Sequence, residues 1–245
     1  MRNYEEEIKA RVAFIQKKME QAHADGLVFG NSGGKDSALV GILCSMATKN
    51  LLAVAMPCNS KRNYGEDLDD ATALAKNFGI DMITVDLTET RSSIISAMKT
   101  ELSDGAKANI APRLRMTTLY AIAQTRNSLV VGTGNRSESY MGYFTKWGDG
   151  AYDINPIADL TVTEIYEFLE YLGAPRCVID KAPSAALFEG QTDEDEMGVT
   201  YAAIDRFLFT GEASDKDRKI IDRYHNASEH KRRMPLTYPG DSGNE

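Results

Sequence analysis

The chain has 245 residues, of which 26% are charged and 42% are hydrophobic, and its 36 acidic side chains against 28 lysines and arginines leave a formal net charge of −8. This length and composition predict a folded chain with a sizeable core and exclude a disordered, collagen-like or disulfide-rich protein. The negative charge argues against a general nucleic-acid-binding surface, and no apolar run approaches the roughly 18 residues that a membrane span requires.

The N-terminus and the cysteines indicate the compartment. Acidic residues follow Tyr4, where a signal peptide would carry its apolar stretch. The three cysteines, Cys44, Cys58 and Cys177, have no C-x-x-C spacing and leave an odd thiol, which favours reduced side chains. We therefore expect a cytoplasmic protein without membrane or nucleic-acid partners.

Hydrophobic periodicity predicts helices and strands that alternate along the first half of the chain. Apolar residues at steps of three and four, from Tyr4 to Met19, indicate an amphipathic first helix. The pattern then predicts a strand at 26–29, a helix at 36–47, a strand at 51–56, a helix at 68–78, a strand at 82–85, helices at about 90–102 and 112–124, and a strand at 129–131. Gly79 is expected to end the helix at 68–78, and Pro112 suits a first helical turn.

The second half of the chain carries one strong helix signal and one long irregular segment. Thr161-Val-Thr-Glu164 is a capping box, which predicts a helix that ends at Gly173. Residues 181–192 lack periodicity and are expected to form a long loop, and such loops usually have a function. A helix through 201–208 follows, and then a charged segment continues to about residue 233.

Strands that alternate with helices predict a parallel sheet, because parallel strands need such crossover connections. Right-handed crossovers would cover the sheet with helices on both faces, which gives a Rossmann-like, doubly wound α/β fold. Ligands of these sheets bind beyond the carboxyl ends of the strands. The loops at 30–34, 57–64 and 132–135 should therefore share one crevice.

A loop rich in glycine and hydroxyl groups, Gly30-Asn-Ser-Gly-Gly-Lys-Asp-Ser37, lies between the first predicted strand and the next helix. Backbone N–H groups of such a turn and of a helix N-terminus form a cradle for anions. The loop is not a Walker A motif, which would need Gly in place of Phe29 and Ser or Thr in place of Asp36. A carboxylate at Asp36 would repel phosphate unless a cation lay between them, which indicates Mg²⁺. A tight turn with Asp36 as a capping acid is the simpler alternative.

A second glycine-rich loop, Gly132-Thr-Gly-Asn-Arg-Ser137, admits a competing interpretation. It follows a strand, differs by one residue from G-x-G-x-x-G, and has Asp153 about twenty positions later, as an NAD-dependent dehydrogenase would. Ser137 at the sixth position and the better phosphate loop after the first strand argue against that class. A non-catalytic nucleotide-binding module is a further alternative, and it would keep the first loop without Glu138, Lys146 and Asp153.

The segment Ser32-Gly-Gly-Lys-Asp-Ser37 resembles the pyrophosphate loop of the N-type ATP pyrophosphatases, a superfamily of amidating and tRNA-thiolating enzymes. Within it, the chain resembles the NAD synthetase family at 131–138, 142–150, 153–157, 181–185, 190–194 and 229–232, and at Asn109 and 113–116. The likeness spans 26–233 and implies an adenine nucleotide alpha-hydrolase-like fold. It also implies a ligase that adenylates the nicotinate carboxylate of deamido-NAD with ATP, releases pyrophosphate, and lets ammonia displace AMP to give NAD.

The resemblance also implies the domain organisation and the residues of the site. We expect a single domain over 1–245, with an N-terminal helix at 1–22, a catalytic core at 26–233 and a frayed tail at 236–245. Mg²⁺ is implied at Asp36 and Glu138. ATP is implied at Gly30, Asn31, Ser32, Gly33, Gly34, Lys35, Asp36, Ser37, Thr133 and Ser184. Deamido-NAD is implied at Arg115, Lys146, Asp153, His230 and Lys231.

Ammonium must lose a proton before its nitrogen can attack, and a carboxylate near the adenylate would accept that proton. Asp149, between two glycines, is our candidate, and Asp153 is the alternative. Either residue could equally be a turn former.

Three positions depart from the family's pattern. Val162 stands where many members carry an ATP-binding Lys, Ala186 where Asp is usual, and Phe188 where Trp is common. We expect the phosphate contact of position 162 to be weaker or to come from Lys35 or Lys181.

The family's quaternary structure and nitrogen source lead to two further expectations. Its members form homodimers that bind the substrate at their interface, so we expect a homodimer here. Glutamine-using members carry an additional N-terminal amidase domain, whereas this chain reaches its phosphate loop by residue 30. We therefore expect it to use free ammonia, with a separate glutaminase as an alternative source in the cell.

Overall fold

A parallel sheet of four strands lies at the centre of the computed structural model, which describes residues 2–58, 64–181, 192–235 and 237–238. The strands are β1 (Gly26–Gly30), β2 (Leu51–Ala55), β3 (Asp81–Thr84) and β4 (Ser128–Val131). Their order is β3-β2-β1-β4, with Phe29 of β1 in register with Ala53 on one side and Val131 on the other. The expected parallel sheet is confirmed.

Helices connect and flank these strands throughout the described segments. They are α1 (Tyr4–Gln21), α2 (Lys35–Ala47), α3 (Glu66–Phe78), α4 (Thr88–Ala97), α5 (Asp104–Ala108), α6 (Ile110–Thr125), α7 (Arg136–Met141), α8 (Val162–Tyr171), α9 (Arg176–Ile179), α10 (Asp193–Met197), α11 (Tyr201–Thr210) and α12 (Asp215–Ala227), followed by a 3₁₀ turn (Glu229–Lys231). None of the helices described here has both the length and the apolar character needed to cross a bilayer.

Local sequence signals fix several helix ends. The Thr161 side chain accepts the Glu164 N–H, and the Glu164 carboxylate accepts the Thr161 N–H, so the predicted capping box begins α8. Gly79 adopts the left-handed conformation, with φ of 63°, and ends α3 as expected. Pro112 lies in the first turn of α6, which also confirms its predicted position.

The predicted helix at 90–102 was wrong in extent, because the helix there is shorter and a second one begins only at Asp104. α4 ends at Ala97, and Ser103 then caps α5 by accepting a hydrogen bond from the Ala106 N–H at 3.3 Å. The intervening polar residues 99–101 offer no apolar side chain that could hold a continuous helix against the sheet. The sequence does not predict α7, α9 and α10, since each has six residues or fewer and shows too little periodicity.

Helices cover both faces of the sheet. Phe29 and Val28 are neighbours on β1 and therefore point to opposite faces. Phe29 belongs to a core cluster shared with α1, α2, α3 and α8, whereas Val28 belongs to a smaller cluster shared with α6. A third cluster, around Tyr201, joins α7, α8 and α10 to α12 beyond the sheet. The expected doubly wound α/β architecture is confirmed.

Some predicted features lie outside the described residues. These are the interior of the 181–192 loop, with Ser184, Ala186 and Phe188, part of the 57–64 loop, and all of the 236–245 tail except residues 237 and 238.

Candidate active site

A cleft of about 600 Å³ opens at the carboxyl end of the sheet. β1 lies between β2 and β4, and the loops that follow β1 and β4 both line this cleft. The loop at 30–37 forms one wall. Residues 132–134 also line the cleft, and we call the lining from α6, from 141–151 and from Lys231 the opposite wall. The predicted loops at 30–34 and 132–135 therefore share one crevice, and Pro57 is the described residue of the 57–64 loop that lines it.

The loop at 30–37 is held in shape by its own polar side chains and by α3. The buried Asn31 side chain donates to the Ala71 carbonyl at 3.0 Å and accepts the Gly33 N–H at 3.3 Å. Gly33 has φ of 72°, and a Cβ there would lie 2.3 Å from the Asp67 carbonyl oxygen, so glycine is required. Ser37 closes the turn by donating to the Gly34 carbonyl at 2.9 Å. α2 begins at Lys35, so its N-terminus points towards the cleft, as an anion cradle requires.

Two carboxylates, Asp36 and Glu138, meet at one corner of the cleft. Asn135 links them, since its side chain donates to Asp36 Oδ1 at 3.1 Å and its backbone N–H donates to Glu138 Oε2 at 3.1 Å. Removal from water, followed by the nearby charge of Asp36, raises the pKa of Glu138. The arrangement concentrates negative charge that a cation would stabilise.

The cation present at this corner is Lys35. Its Nζ lies 2.7 Å from Asp36 Oδ2 and 5.7 Å from the centroid of the Tyr201 ring. Although burial alone would lower the pKa of Lys35, Asp36 and Glu138 hold it above its usual value. The side chain, which is only 6% exposed, therefore carries a positive charge inside the wall of the cleft.

The donor set at this corner fits Mg²⁺. Mg²⁺ is usually held by one or two carboxylates, with substrate phosphates and water as the remaining ligands. Asp36 and Glu138 supply two carboxylates beside the anion cradle, and within the described ranges no group of three or more His, Cys, Asp or Glu side chains could hold a metal. Any ion here would therefore depend on phosphate or water for its other ligands.

A second polar corner of the cleft contains Arg115, Asp149 and Lys231. Arg115 donates from Nε to the Met56 carbonyl at 3.1 Å, and burial lowers its pKa. Asp149 accepts the Thr145 N–H at 3.0 Å. Solvent reaches Asp149, but its enclosure by the surrounding protein raises its pKa, against the opposing charges of Arg115 and Lys231. A carboxylate beside two cations is a suitable proton acceptor at an anionic site.

Five of the predicted site residues that the structure describes do not line the cleft: Gly33, Lys146, Asp153, Val162 and His230. Asp153 is exposed and accepts the Val130 N–H at 2.7 Å and the Tyr120 hydroxyl at 3.2 Å, so it fixes the end of β4. The Lys146 ammonium donates to the backbone carbonyl of His230, an exposed residue. Of the two acids considered for ammonium, only Asp149 therefore faces the cleft.

Val162 is 3% exposed and begins α8 inside the cluster around Tyr201. Lys35 and Lys181, the two lysines considered for the phosphate contact that is missing at position 162, both line the cleft. Lys181 is paired at 2.8 Å with Asp67 Oδ1 and at 2.7 Å with Asp70 Oδ2, two acids on the buried side of α3. The other lysine, Lys35, lies beside Asp36 in the phosphate loop.

The structure adds an acid that the sequence argument did not select. Asp193 is 4% exposed, lines the cleft, and accepts hydrogen bonds from the hydroxyls of Tyr201 at 3.2 Å and Tyr143 at 3.3 Å. The local sequence feature near Asp193 is the capping box formed by Thr192 and Asp195. This capping box begins α10, so Asp193 lies in its first turn. That signal predicts a helix start and says nothing about the cleft.

The second glycine-rich loop is shaped by packing. A Cβ on Gly132 would lie 2.3 Å from the Tyr152 ring, so this glycine makes room for an aromatic side chain of the same chain. Gly132, Thr133 and Gly134 still line the cleft.

Comparison with known proteins identifies the family. The sequence matches the NAD synthase family profile over residues 7–235. The NH(3)-dependent NAD(+) synthetase of Carboxydothermus hydrogenoformans is 47% identical over 238 residues, which cover 95% of this chain and 97% of the relative.

Solved structures agree with this result. An NMN synthetase from Francisella tularensis is 38% identical with a TM-score of 0.93, and the match covers 98% of this chain and 100% of that one. An NH3-dependent NAD synthetase from Campylobacter jejuni is 29% identical with a TM-score of 0.80, covering 97% of this chain and 100% of that one. The predicted adenine nucleotide alpha-hydrolase-like fold is confirmed, and the family match decides against a dehydrogenase. The chain belongs to the NAD synthase family.

Proposed function

We propose that this protein is an ammonia-dependent NAD synthetase that adenylates the nicotinate carboxylate of deamido-NAD with ATP and then amidates it. The observation that carries the proposal is the cleft itself, in which an anion-binding loop and a carboxylate pair face a corner of Arg115, Asp149 and Lys231. One wall suits a triphosphate, and the other offers cations and a proton acceptor for an anionic substrate and ammonium. We also propose a cytoplasmic location, which would suit three cysteines that are not in disulfides.

The phosphate-loop wall would bind ATP. Residues 30–37 would hold the phosphates through backbone N–H groups and the α2 N-terminus, and Thr133 would add a hydroxyl from the loop after β4. Ser184 is proposed for ATP on family resemblance alone. At position 162 the buried valine leaves the phosphate contact to another cation.

Asp36 and Glu138 would hold Mg²⁺. The ion, when bound, would offset the repulsion between the phosphates and the substrate carboxylate. Asn135 holds both acids through its hydrogen bonds, so their positions are set before any ligand binds.

The opposite wall would bind the nicotinate end of deamido-NAD and the attacking nitrogen. Arg115 and Lys231 would attract the phosphate and carboxylate groups, and Asp149 would draw ammonium in and accept its proton. Lys146, Asp153 and His230 lie outside the cleft and would contact a part of the substrate that extends beyond it.

We also propose a homodimer that places this extended part of the substrate between two copies. The α4 side of the sheet is incompletely covered: α4 buries no residue, Ile83 of β3 is 41% exposed, and Met98 after α4 is 48% exposed. Met82 packs on the core of the opposite face, so its neighbour Ile83 points to this side. A second copy would cover these apolar side chains.

A second candidate is the synthesis of NMN from nicotinate mononucleotide. Of the two solved structures compared, the Francisella tularensis NMN synthetase has the higher TM-score. Nicotinate mononucleotide is the half of deamido-NAD that carries the reacting carboxylate, so Arg115, Asp149 and Lys231 would serve either substrate. The two candidates differ in whether the adenylate half contributes to binding.

One assay tests both candidates. Purified protein is incubated with ATP, Mg²⁺, ¹⁵N-ammonium and either deamido-NAD or nicotinate mononucleotide, and products are analysed by mass spectrometry. We expect labelled NAD, AMP and pyrophosphate in equal amounts, with a higher kcat/KM for deamido-NAD. A higher kcat/KM for nicotinate mononucleotide would transfer the assignment to the second candidate, and ATP cleavage that ignores both substrates would contradict both.

A parallel incubation tests the nitrogen donor. Ammonium-free glutamine should give no NAD, and a separate glutaminase added to it should restore the product. NAD formation from glutamine by the purified chain alone, with release of glutamate, would contradict the assignment of ammonia.

A further inference from the structure

Two lysine side chains of the described cleft wall stand in different electrostatic settings. Lys181 lies between Asp67 and Asp70, so two carboxylates already surround its ammonium. Lys35 has one carboxylate at hydrogen-bond distance, Asp36, which belongs to the pair that fits a metal ion. A metal on Asp36 would therefore compete with Lys35 and leave Lys181 untouched.

The Lys35 ammonium cannot remain without an anion. Its side chain is 6% exposed, and an uncompensated charge at such a depth is strongly unfavourable. The anion cradle at 30–37 is the loop to which Lys35 itself belongs, and Lys35 and the loop line the same cleft. Once a metal binds Asp36, a phosphate oxygen bound in the cradle is the anion that can pair with the Lys35 ammonium.

The position of the ammonium also accounts for the valine at 162. Lys35 Nζ lies 5.7 Å from the centroid of the Tyr201 ring, and Tyr201 packs in the same buried cluster as Val162. Lys35 and Val162 therefore both border the cluster around Tyr201. A second lysine at 162 would bring a like charge into the same region.

We propose that Lys35 is an exchangeable counter-ion, which pairs with Asp36 in the free protein and binds a phosphate of ATP when Asp36 and Glu138 hold a metal. The proposal rests on the proposed function of the cleft as an ATP site. It makes Lys35 a phosphate-binding residue whose partner depends on the metal.

The test measures two binding constants in the variant Lys35→Met, which keeps the length of the buried side chain and removes its charge. Without nucleotide, Mn²⁺ should bind more tightly than to the wild type, because Asp36 and Glu138 lose their internal competitor. With Mg²⁺ present, inorganic pyrophosphate should bind about tenfold to a hundredfold more weakly, because a charged hydrogen bond is lost. Electron paramagnetic resonance follows Mn²⁺, and calorimetry follows pyrophosphate.

Matched variants separate this role from a structural one. Lys35→Arg keeps the charge and should leave Mn²⁺ affinity low and pyrophosphate affinity high. Lys181→Met removes the cleft lysine that is paired with Asp67 and Asp70, and it should not raise Mn²⁺ affinity. In the double variant Lys35→Met/Val162→Lys, a lysine at position 162 should recover part of the pyrophosphate affinity. Lys35→Gln is measured in the same way and supplies the result if the methionine variant does not fold, as judged by circular dichroism.

Opposite changes in the two constants support the exchange. A folded neutral variant that binds both Mn²⁺ and pyrophosphate more weakly would reduce Lys35 to a structural role, and unchanged pyrophosphate affinity would remove it from the phosphate site. Neither constant depends on NAD formation. Failure of the proposed function would therefore appear separately, as wild-type protein that binds pyrophosphate but makes no NAD or NMN.

Discussion

The two walls of the cleft differ in how completely a single chain builds them. On the phosphate-loop wall, Asn31, Ser37 and Asn135 are buried and bonded to the loop or to the acids they support. On the opposite wall, Arg115, Asp149 and Lys231 line the cleft, whereas Lys146, Asp153 and His230 do not. One wall is organised before any ligand arrives, and the other leaves part of its proposed substrate site outside the cleft. Under the proposed homodimer, ATP binding would be a property of one chain and deamido-NAD binding would need a second copy.

The largest expected effect tests the organised wall. Glu138→Gln should lower the rate of adenylation about 10²–10³-fold, because a lost metal ligand removes several kcal/mol of charge stabilisation. Glutamine can still accept the Asn135 N–H, so the capping box and the fold should survive. Asp36→Asn should act alike. Exchange of labelled pyrophosphate into ATP measures the step, and near-normal exchange in either folded variant would remove that residue from the metal site.

The next effect compares two carboxylates near the opposite wall. Asp149→Asn should lower kcat/KM for ammonium about a hundredfold, at the low end of what a general base contributes. Asp153→Asn should change KM for deamido-NAD and leave the ammonium dependence as it is, since Asp153 lies outside the cleft. Initial rates against ammonium concentration decide between them, and a larger ammonium effect at Asp153 would reverse the assignment.

The same pair gives a pH dependence. Asp149 must be ionised to accept a proton, and the protein raises its pKa. The wild-type kcat at saturating ammonium should therefore fall as the pH decreases, and the fall should occur at a higher pH than that at which an ordinary aspartate is protonated. This acidic limb should be missing in Asp149→Asn and present in Asp153→Asn. The free energy of unfolding should change with pH in the opposite direction. A raised carboxyl pKa favours the protonated form of the folded chain, so the stability that Asp149 contributes is lost as the pH rises.

A smaller effect is expected at Arg115. Arg115→Ala should raise the KM for deamido-NAD by about tenfold to a hundredfold and that for ATP far less, because a charged hydrogen bond is worth about 1.5–3 kcal/mol. Arg113→Ala, two residues away on the exposed side of α6, is the control and should change neither constant strongly. A rise in the KM for ATP instead would move Arg115 to the other wall.

The smallest effect tests whether a second copy completes the substrate wall. Ile83→Asp should shift the protein towards monomer and raise the KM for deamido-NAD several-fold while pyrophosphate affinity stays at the wild-type value. Met46→Asp, at an exposed methionine of α2 on the opposite side of the sheet, is the control. Light scattering gives the mass, and a monomeric variant with an unchanged KM would show that one chain suffices.

The sequence predicted most of the fold because its signals act between near neighbours. The alternation of helices and strands, the capping box at Thr161, the stop at Gly79 and the loop at 30–37 each depend on residues within a few positions of one another. The end of α4 at Ala97 was not predicted, because the apolar periodicity of 90–102 does not show how far the helix packs on the sheet. The family motifs likewise predicted Asp36 and Glu138 as site residues, because each motif is a short local pattern.

Only the tertiary structure decided which of the named residues meet. Asp36 and Asn135 are 99 positions apart, and the order of the strands alone brings them into contact. Asp149 and Asp153 are indistinguishable as aspartates near glycines, yet one lines the cleft and the other fixes the end of β4. Lys35 and Lys181 were equal candidates until their carboxylate partners on different helices were known. Burial and charge compensation are properties of the packed chain, so the residue types could propose these roles and the packing alone could separate them.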